Sequence, residues 1–127
     1  MPDMKYASPQ IALRYSKARN YPQINQAAVR EMHRQVGDLQ IDERGLAQRG
    51  LLVRHLVLPN GLAGTGEIVR FLAEEISKDT YLNLMDQYRP AYQAHLFPKL
   101  NRRITRQEYQ AAVEMALQAG LRRLDKR

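Results

Sequence analysis

The chain has 127 residues, 44% hydrophobic and 26% charged, a size and balance that suit one domain with its own core. It contains no cysteine, which excludes a disulfide framework, a thiolate nucleophile and any metal or iron–sulfur centre held by this chain's own thiolates. Its net charge of +7 is concentrated from Lys99 onward, and no apolar run approaches membrane-spanning length, so a cytoplasmic protein with a basic end and no membrane partner is the expectation.

In chain order, residues 1–6 read as the end of a strand. Pro2 cannot donate to a ladder, and Asp3 and Lys5, two apart, project from one face if the segment is extended. Ser8-Pro9 pairs a hydroxyl N-cap with proline at the first helical position, predicting a short helix through Ser16. Asn20 caps the next helix in this reading, with Ile24, Ala28, Met32 and Val36 as its core stripe and Gly37 as its stop. His33 lies off that stripe beside Arg34, as a solvated or partly covered side chain. Leu39-Gln40-Ile41, a turn at 42–45 and Leu46-Ala47-Gln48 then predict a small β-hairpin.

The run from Leu51 to Leu58 predicts a central strand ending at the Pro59-Asn60-Gly61 turn. Alternation puts Leu52, Arg54, Leu56 and Leu58 on one face and Val53, His55 and Val57 on the other, a pattern suited to a parallel strand covered on both sides. Arg54 breaks it. A guanidinium buried alone costs several kcal/mol, so Arg54 is expected against an acid such as Asp3 or Asp86, or against an anionic ligand. The glycine-rich turn from Asn60 to Glu67 could cradle phosphate at the start of a helix but lacks the lysine of a P-loop and the spacing of a dinucleotide fingerprint.

Thr65 is read as the N-cap of a helix burying Ile68, Phe71, Leu72 and Ile76, followed by a second strand from Tyr81 to Met85. Two successive βα units imply parallel strands, with ligands collecting beyond their carboxyl ends. Residues 86–101, which include Tyr92 and the lone His95, form a long irregular loop of the kind that often carries function. Thr105-Arg106-Gln107-Glu108 is a capping box for a last helix with Tyr109, Ala112, Val113, Ala116 and Leu117 as its core stripe. Gly120 ends it, Leu121 to Leu124 return as a short strand, and the charged terminus frays.

Four segments together then resemble a known family: residues 2–6 (Pro-Asp-Met-Lys-Tyr), residues 49–59 (Arg-Gly-Leu-Leu-Val-Arg-His-Leu-Val-Leu-Pro), residues 87–90 (Gln-Tyr-Arg-Pro) and residues 100–109 (Leu-Asn-Arg-Arg-Ile-Thr-Arg-Gln-Glu-Tyr). In order and spacing they look like the carboxyl-terminal part of radical S-adenosylmethionine proteins of the pyruvate formate-lyase activating enzyme type. The resemblance implies an α/β fold across residues 1–127: the carboxyl-terminal half of a partial (β/α)6, TIM-like barrel with parallel strands, plus the small hairpin.

It further implies S-adenosylmethionine as cofactor, contacted by Asp3, Lys5 and Arg54, with Leu56 flanking the adenine and Tyr88, beside Gln87, standing where the family has a histidine. The family's 4Fe-4S cluster is held by a Cys-x-x-x-Cys-x-x-Cys loop that this sequence does not contain. The implied product is therefore one piece of a radical oxidoreductase, a truncation or half of a split protein, inactive alone. Its implied partners are the missing amino-terminal half, or further copies paired through exposed strand edges, and a glycyl-radical protein as substrate. The alternative is a small protein-interaction or nucleic-acid-binding module using the basic segment from Lys99 to Arg127, which no aromatic platform accompanies.

Overall fold

The computed structural model describes residues 1–90 and 96–126. It contains α1 (Pro9–Ser16), α2 (Tyr21–Val36), β1 (Gln40–Ile41), β2 (Ala47–Arg49), β3 (Leu52–Leu56), α3 (Thr65–Phe71), β4 (Tyr81–Met85), α4 (Arg106–Ala119) and β5 (Arg123–Lys126). β1 and β2 form the expected antiparallel hairpin, and β3, β4 and β5 form a parallel sheet in that order.

Local chemistry explains most element ends. Ser8 Oγ accepts from Ile11 N–H to start α1. The Thr105 and Glu108 side chains satisfy each other's backbone N–H groups at the start of α4, and Gly120 in the left-handed region ends it. α3 continues from Leu72 to Ile76 with π-type hydrogen bonding before the chain turns into β4. Two glycines are sterically required. A Cβ on Gly50, at φ 113°, would lie 2.2 Å from Asp38 O, and one on Gly64, at φ 70°, would lie 2.6 Å from Ala7 Cβ.

The core lies between one face of the sheet and the helices. Val53, Val57, Leu82 and Leu84 pack with Ile68, Val69 and Leu72 from α3 and its continuation, and with Ala112 and Ala116 of α4. A second cluster, Tyr6, Ala12, Leu58, Leu62, Ala63 and Leu100, joins α1 to the turn after β3 and to the long loop before α4.

The half barrel is not what the chain forms. Among the described residues there are two small sheets, no barrel is closed, and beyond its three strands the parallel sheet is flanked only by isolated bridges, Asp3 to Arg54 and Asp38 to Leu51. The outer side of that first extended segment is taken by α2: Lys5 N–H donates to Tyr21 Oη at 2.9 Å, and Asn25 Nδ2 donates to Asp3 O at 3.0 Å. Side chains thus occupy the backbone positions that another strand would need there. The chain is a small α/β domain.

Five local expectations also need correction. On α2, Ile24 is 64% and Met32 40% exposed, and Ala28 is exposed, while Pro22 and Val29 are buried. The inward line of α2 runs instead through Pro22, Asn25, Val29, His33 and Val36, a face rotated from the predicted one. Asn20 makes no side-chain cap there. Gly64, not Thr65, precedes α3, and Thr65 hydrogen-bonds elsewhere. Leu117 is exposed, and the last strand lies at Arg123–Lys126, slightly later than expected and within the segment read as fraying.

Candidate functional site

The two faces of the parallel sheet differ. Val53 and His55 in β3 and Leu82 and Leu84 in β4 are buried under the helices, while Leu52, Arg54, Leu56, Tyr81, Asn83 and Met85 are only half-buried. The coverage expected on both faces of β3 is therefore found on one. Register places Asp3, Arg54, Asn83 and Asp125 in one row across the open face, each beside the next.

Arg54 meets Asp3 in a two-pronged ion pair: Nε donates to Oδ1 at 2.7 Å and Nη2 to Oδ2 at 3.1 Å. Their side chains are 38% and 36% exposed, so the pair is partly solvated rather than sealed in the core. Asp3 holds the guanidinium's pKa above its usual value, first by these hydrogen bonds and then by its charge. The pairing with Asp3 anticipated from sequence is formed, but the deep burial that made Arg54 conspicuous is not.

Toward the carboxyl ends of the strands, a cavity of about 190 Å³ is lined by Lys5, Tyr6, Leu56, Leu58 and Tyr88. Tyr88 is held in place by donating to Leu100 O at 2.9 Å, and burial, followed by the neighbouring Tyr6, pushes its phenol pKa up. The structure thus gathers Lys5, Leu56 and Tyr88 around one hollow next to the Asp3–Arg54 pair. Gln87 is exposed and does not line it. Tyr6 and Leu58, which do line it, were not singled out.

His55 has a different role. It is fully buried; its Nδ1 donates to Met4 O at 2.6 Å, and its Nε2 accepts from the Thr65 hydroxyl at 2.9 Å, because the carbonyl can only accept. Burial lowers its pKa, with the Met4 carbonyl partly opposing, so the ring is a neutral tie between the first segment, β3 and the start of α3.

A second and larger hollow of about 360 Å³ opens between α3 and α4, against the glycine-rich turn. Glu67 and Glu108 line it along with Arg70, which suits a phosphate poorly. Glu108 is the centre of a latch: besides the capping box, its carboxylate takes Arg102 Nη1 at 2.8 Å, Arg102 Nη2 at 3.0 Å and Asn60 N–H at 2.7 Å. Arg102 first, together with the backbone donors Thr105 and Asn60, holds the Glu108 pKa down at about 2. The conspicuous segment 100–109 therefore ties the long loop to the turn after β3.

Several basic side chains are engaged one by one: Arg102 by Glu108, Arg122 by Asp79, and Arg123 over the Tyr81 ring at 5.5 Å. Among the described residues, no group of three or more His, Asp or Glu side chains could hold a metal ion, and no helix is long and apolar enough to cross a membrane. Tyr92 and His95 lie outside the described residues.

Fold and site together define a small α/β domain with a polar row and a hollow on the uncovered face of its sheet. Over 115 residues, 90% of this chain, it is 32% identical to an uncharacterized protein of Methanocaldococcus jannaschii. The chain covers 30% of that protein's length. No family model matches the chain, and no solved structure matches it.

Proposed function

We propose that the open sheet face binds S-adenosylmethionine, and that this chain contributes that surface to a radical enzyme of the pyruvate formate-lyase activating type. One observation carries the reading: Arg54, steered by Asp3, stands beside a hollow lined by Lys5, Leu56 and Tyr88, and these are residues to which the sequence resemblance assigns this ligand. S-adenosylmethionine, when bound, supplies a sulfonium whose carbon–sulfur bonds are activated for cleavage.

The chain's own groups suit the ligand in parts. Asp3 fixes two of the guanidinium's nitrogens, leaving Arg54 Nη1 for a carboxylate without further ordering. The exposed Lys5 adds a second cation beside it. Leu56 and Tyr88 offer an apolar edge and a ring to an adenine. At about 190 Å³ the hollow is smaller than pockets that enclose whole ligands, roughly 300–1,000 Å³, so it receives the base while the remainder lies across the sheet.

A 4Fe-4S cluster does not fit this chain, because the thiolates that hold such clusters are absent from it. Any cluster acting with this site is held by another polypeptide segment, and the chain by itself is inactive. A glycyl-radical protein or another hydrogen donor is the substrate in this reading.

Isothermal titration of S-adenosylmethionine into the chain tests the proposal. Saturable binding is expected, weakened at least tenfold by Arg54→Leu and several-fold by Lys5→Ala, with both variants folded by circular dichroism. No saturable binding, or unchanged affinity in both variants, would overturn it.

A further inference from the structure

The cations that follow Lys99 are part of a larger pattern. Two stretches of the sequence, residues 4–29 and 87–107, contain no Asp or Glu, and between them they hold nine of the twenty Lys and Arg. The remaining residues carry eleven cations against all thirteen acids, so the whole excess of +7 comes from these two stretches.

The fold brings them to one end. The first extended segment bridges β3 in parallel, and β3 pairs β4 in parallel, so the chain leaves that segment and leaves β4 on the same side of the sheet. The two stretches then meet directly: the Tyr15 ring sits edge-on to Phe97 with centroids 5.0 Å apart, and Tyr6, Ala12 and Leu100 share one apolar cluster. The hollow of about 190 Å³ lies at their junction, since it takes Lys5 and Tyr6 from one stretch and Tyr88 from the other.

Lys5, Arg14, Lys17 and Arg19 on the first stretch and Arg89, Lys99, Arg103 and Arg106 on the second are all exposed, with the exposed Asp86 at their border. Among the described residues none of these eight cations forms a salt bridge, whereas Arg102 is taken by Glu108. Gathering uncompensated like charge at one end works against the folded state by self-repulsion, and an anionic partner relieves it.

The surface between the cations narrows the kind of anion. Leu13 is 48% and Leu96 58% exposed, and an open hollow of about 440 Å³ is lined by Leu13 and Arg19 with Pro9, Gln10 and Asn20. The rings at this end are turned edge-on to one another, Tyr6 to Tyr21 and Tyr15 to Phe97, whereas stacking a base takes an open ring face. Aliphatic side chains among cations suit carboxylates and apolar residues carried on one polypeptide better than a phosphate backbone.

We propose that this end of the molecule docks an acidic segment of a partner protein. The segment's Asp and Glu lie over the two groups of cations and an aliphatic residue fills the hollow by Leu13, which places the segment beside the opening lined by Lys5 and Tyr88. The surface stands on charge and topology and does not depend on S-adenosylmethionine binding.

Fluorescence anisotropy with a labelled peptide of Asp and Glu interspersed with Leu tests the docking end in the intact chain. Saturable binding that weakens with rising salt is expected. The combined substitutions Arg14→Glu, Lys17→Glu and Arg19→Glu, or Arg89→Glu, Lys99→Glu and Arg103→Glu, should each weaken it at least about tenfold, and Leu13→Ser several-fold. The control set Arg44→Glu, Arg70→Glu and Lys78→Glu changes the net charge equally and should cost far less. Circular dichroism reports folding, and where a Glu set does not fold the corresponding Gln set is read in the same way. Absence of saturable binding, or an equal loss in the control set, overturns the proposal. So does tighter binding of an oligothymidylate of matching charge, or of phosphatidylserine vesicles, than of the peptide. S-adenosylmethionine is titrated separately: if it fails to bind where the peptide binds, the sheet-face site falls and the docking end stands, and the converse result does the opposite.

Discussion

The two faces of the parallel sheet are built from the same strands to opposite ends. On the helix-covered face, every side chain of β3 and β4 is buried, and the one polar group, His55, has both ring nitrogens engaged. On the open face the same strands present Arg54 among half-buried apolar residues, in a partly solvated ion pair that leaves its Nη1 unengaged. The first arrangement is what stability asks for, and the second is what a ligand asks for: a polar group already positioned but not used up.

That contrast can be broken most directly in the core. Leu84→Ala, at a position with no exposure, is expected to lower the unfolding free energy by about 3 kcal/mol in urea titrations. Leu56→Ala on the open face should cost under about half of that while weakening ligand binding at the adjoining hollow. A result in which the two cost the same would erase the distinction between the faces.

Next in size is the latch. Glu108→Ala removes a capping carboxylate that also binds Arg102 and Asn60 N–H, so a loss of about 2 kcal/mol is expected by chemical denaturation. Because Glu108 titrates near pH 2 in the folded chain, below the ordinary carboxylate range, its contribution is complete above that range and disappears as pH falls toward 2. The same acid titration on Glu108→Gln should show a shallower decline.

His55 gives a milder acid sensitivity at higher pH. Its folded pKa is lowered, so below the ordinary histidine pKa the unfolded chain binds the extra proton and the folded chain does not. Stability should therefore fall as pH drops below about 6.5, the unperturbed histidine value, and thermal midpoints between pH 7.5 and 5 would show it. The smallest effect is expected for Arg54→Leu, whose ion pair is partly solvated, with a denaturation midpoint close to that of the unaltered chain. A large stability loss there, with ligand affinity untouched, would make Arg54 a fold residue rather than a site residue.

Local signals in the sequence marked the caps at Ser8, Thr105–Glu108 and Gly120, the hairpin, and the strands at Leu52–Leu56 and Tyr81–Met85, because each rests on backbone chemistry within a few residues. The inward face of α2 was not legible, since it is set by Tyr21 and Asn25 bonding the edge of a distant segment, a polar task that hydrophobic spacing cannot register. Thr65 looked like a cap because its partner, His55, lies ten residues away on another element. The half barrel came from resemblance to a larger architecture, whereas this chain covers the strand edge by Asp3 with side chains.

The site was partly legible. Period-two alternation put Arg54 and Leu56 on one face, and the order of segments brought Lys5 and Tyr88 to it, but nothing in the sequence said that Gln87 would point elsewhere.

The first extended segment is moored at separate points: to β3 by Met4 N–H on Arg54 O and by His55 on Met4 O, and to α2 by Tyr21 and Asn25. Protonating His55 places the new proton on Nε2, where Thr65 donates, and leaves the Nδ1 bond to Met4 O in place. Mild acid should consequently loosen the start of α3 from β3 while the first segment stays moored and Asp3 stays on Arg54. In amide exchange, the Glu67 and Ile68 protons, bonded to Gly64 O, would then wash out ahead of those of Met4 and Arg54.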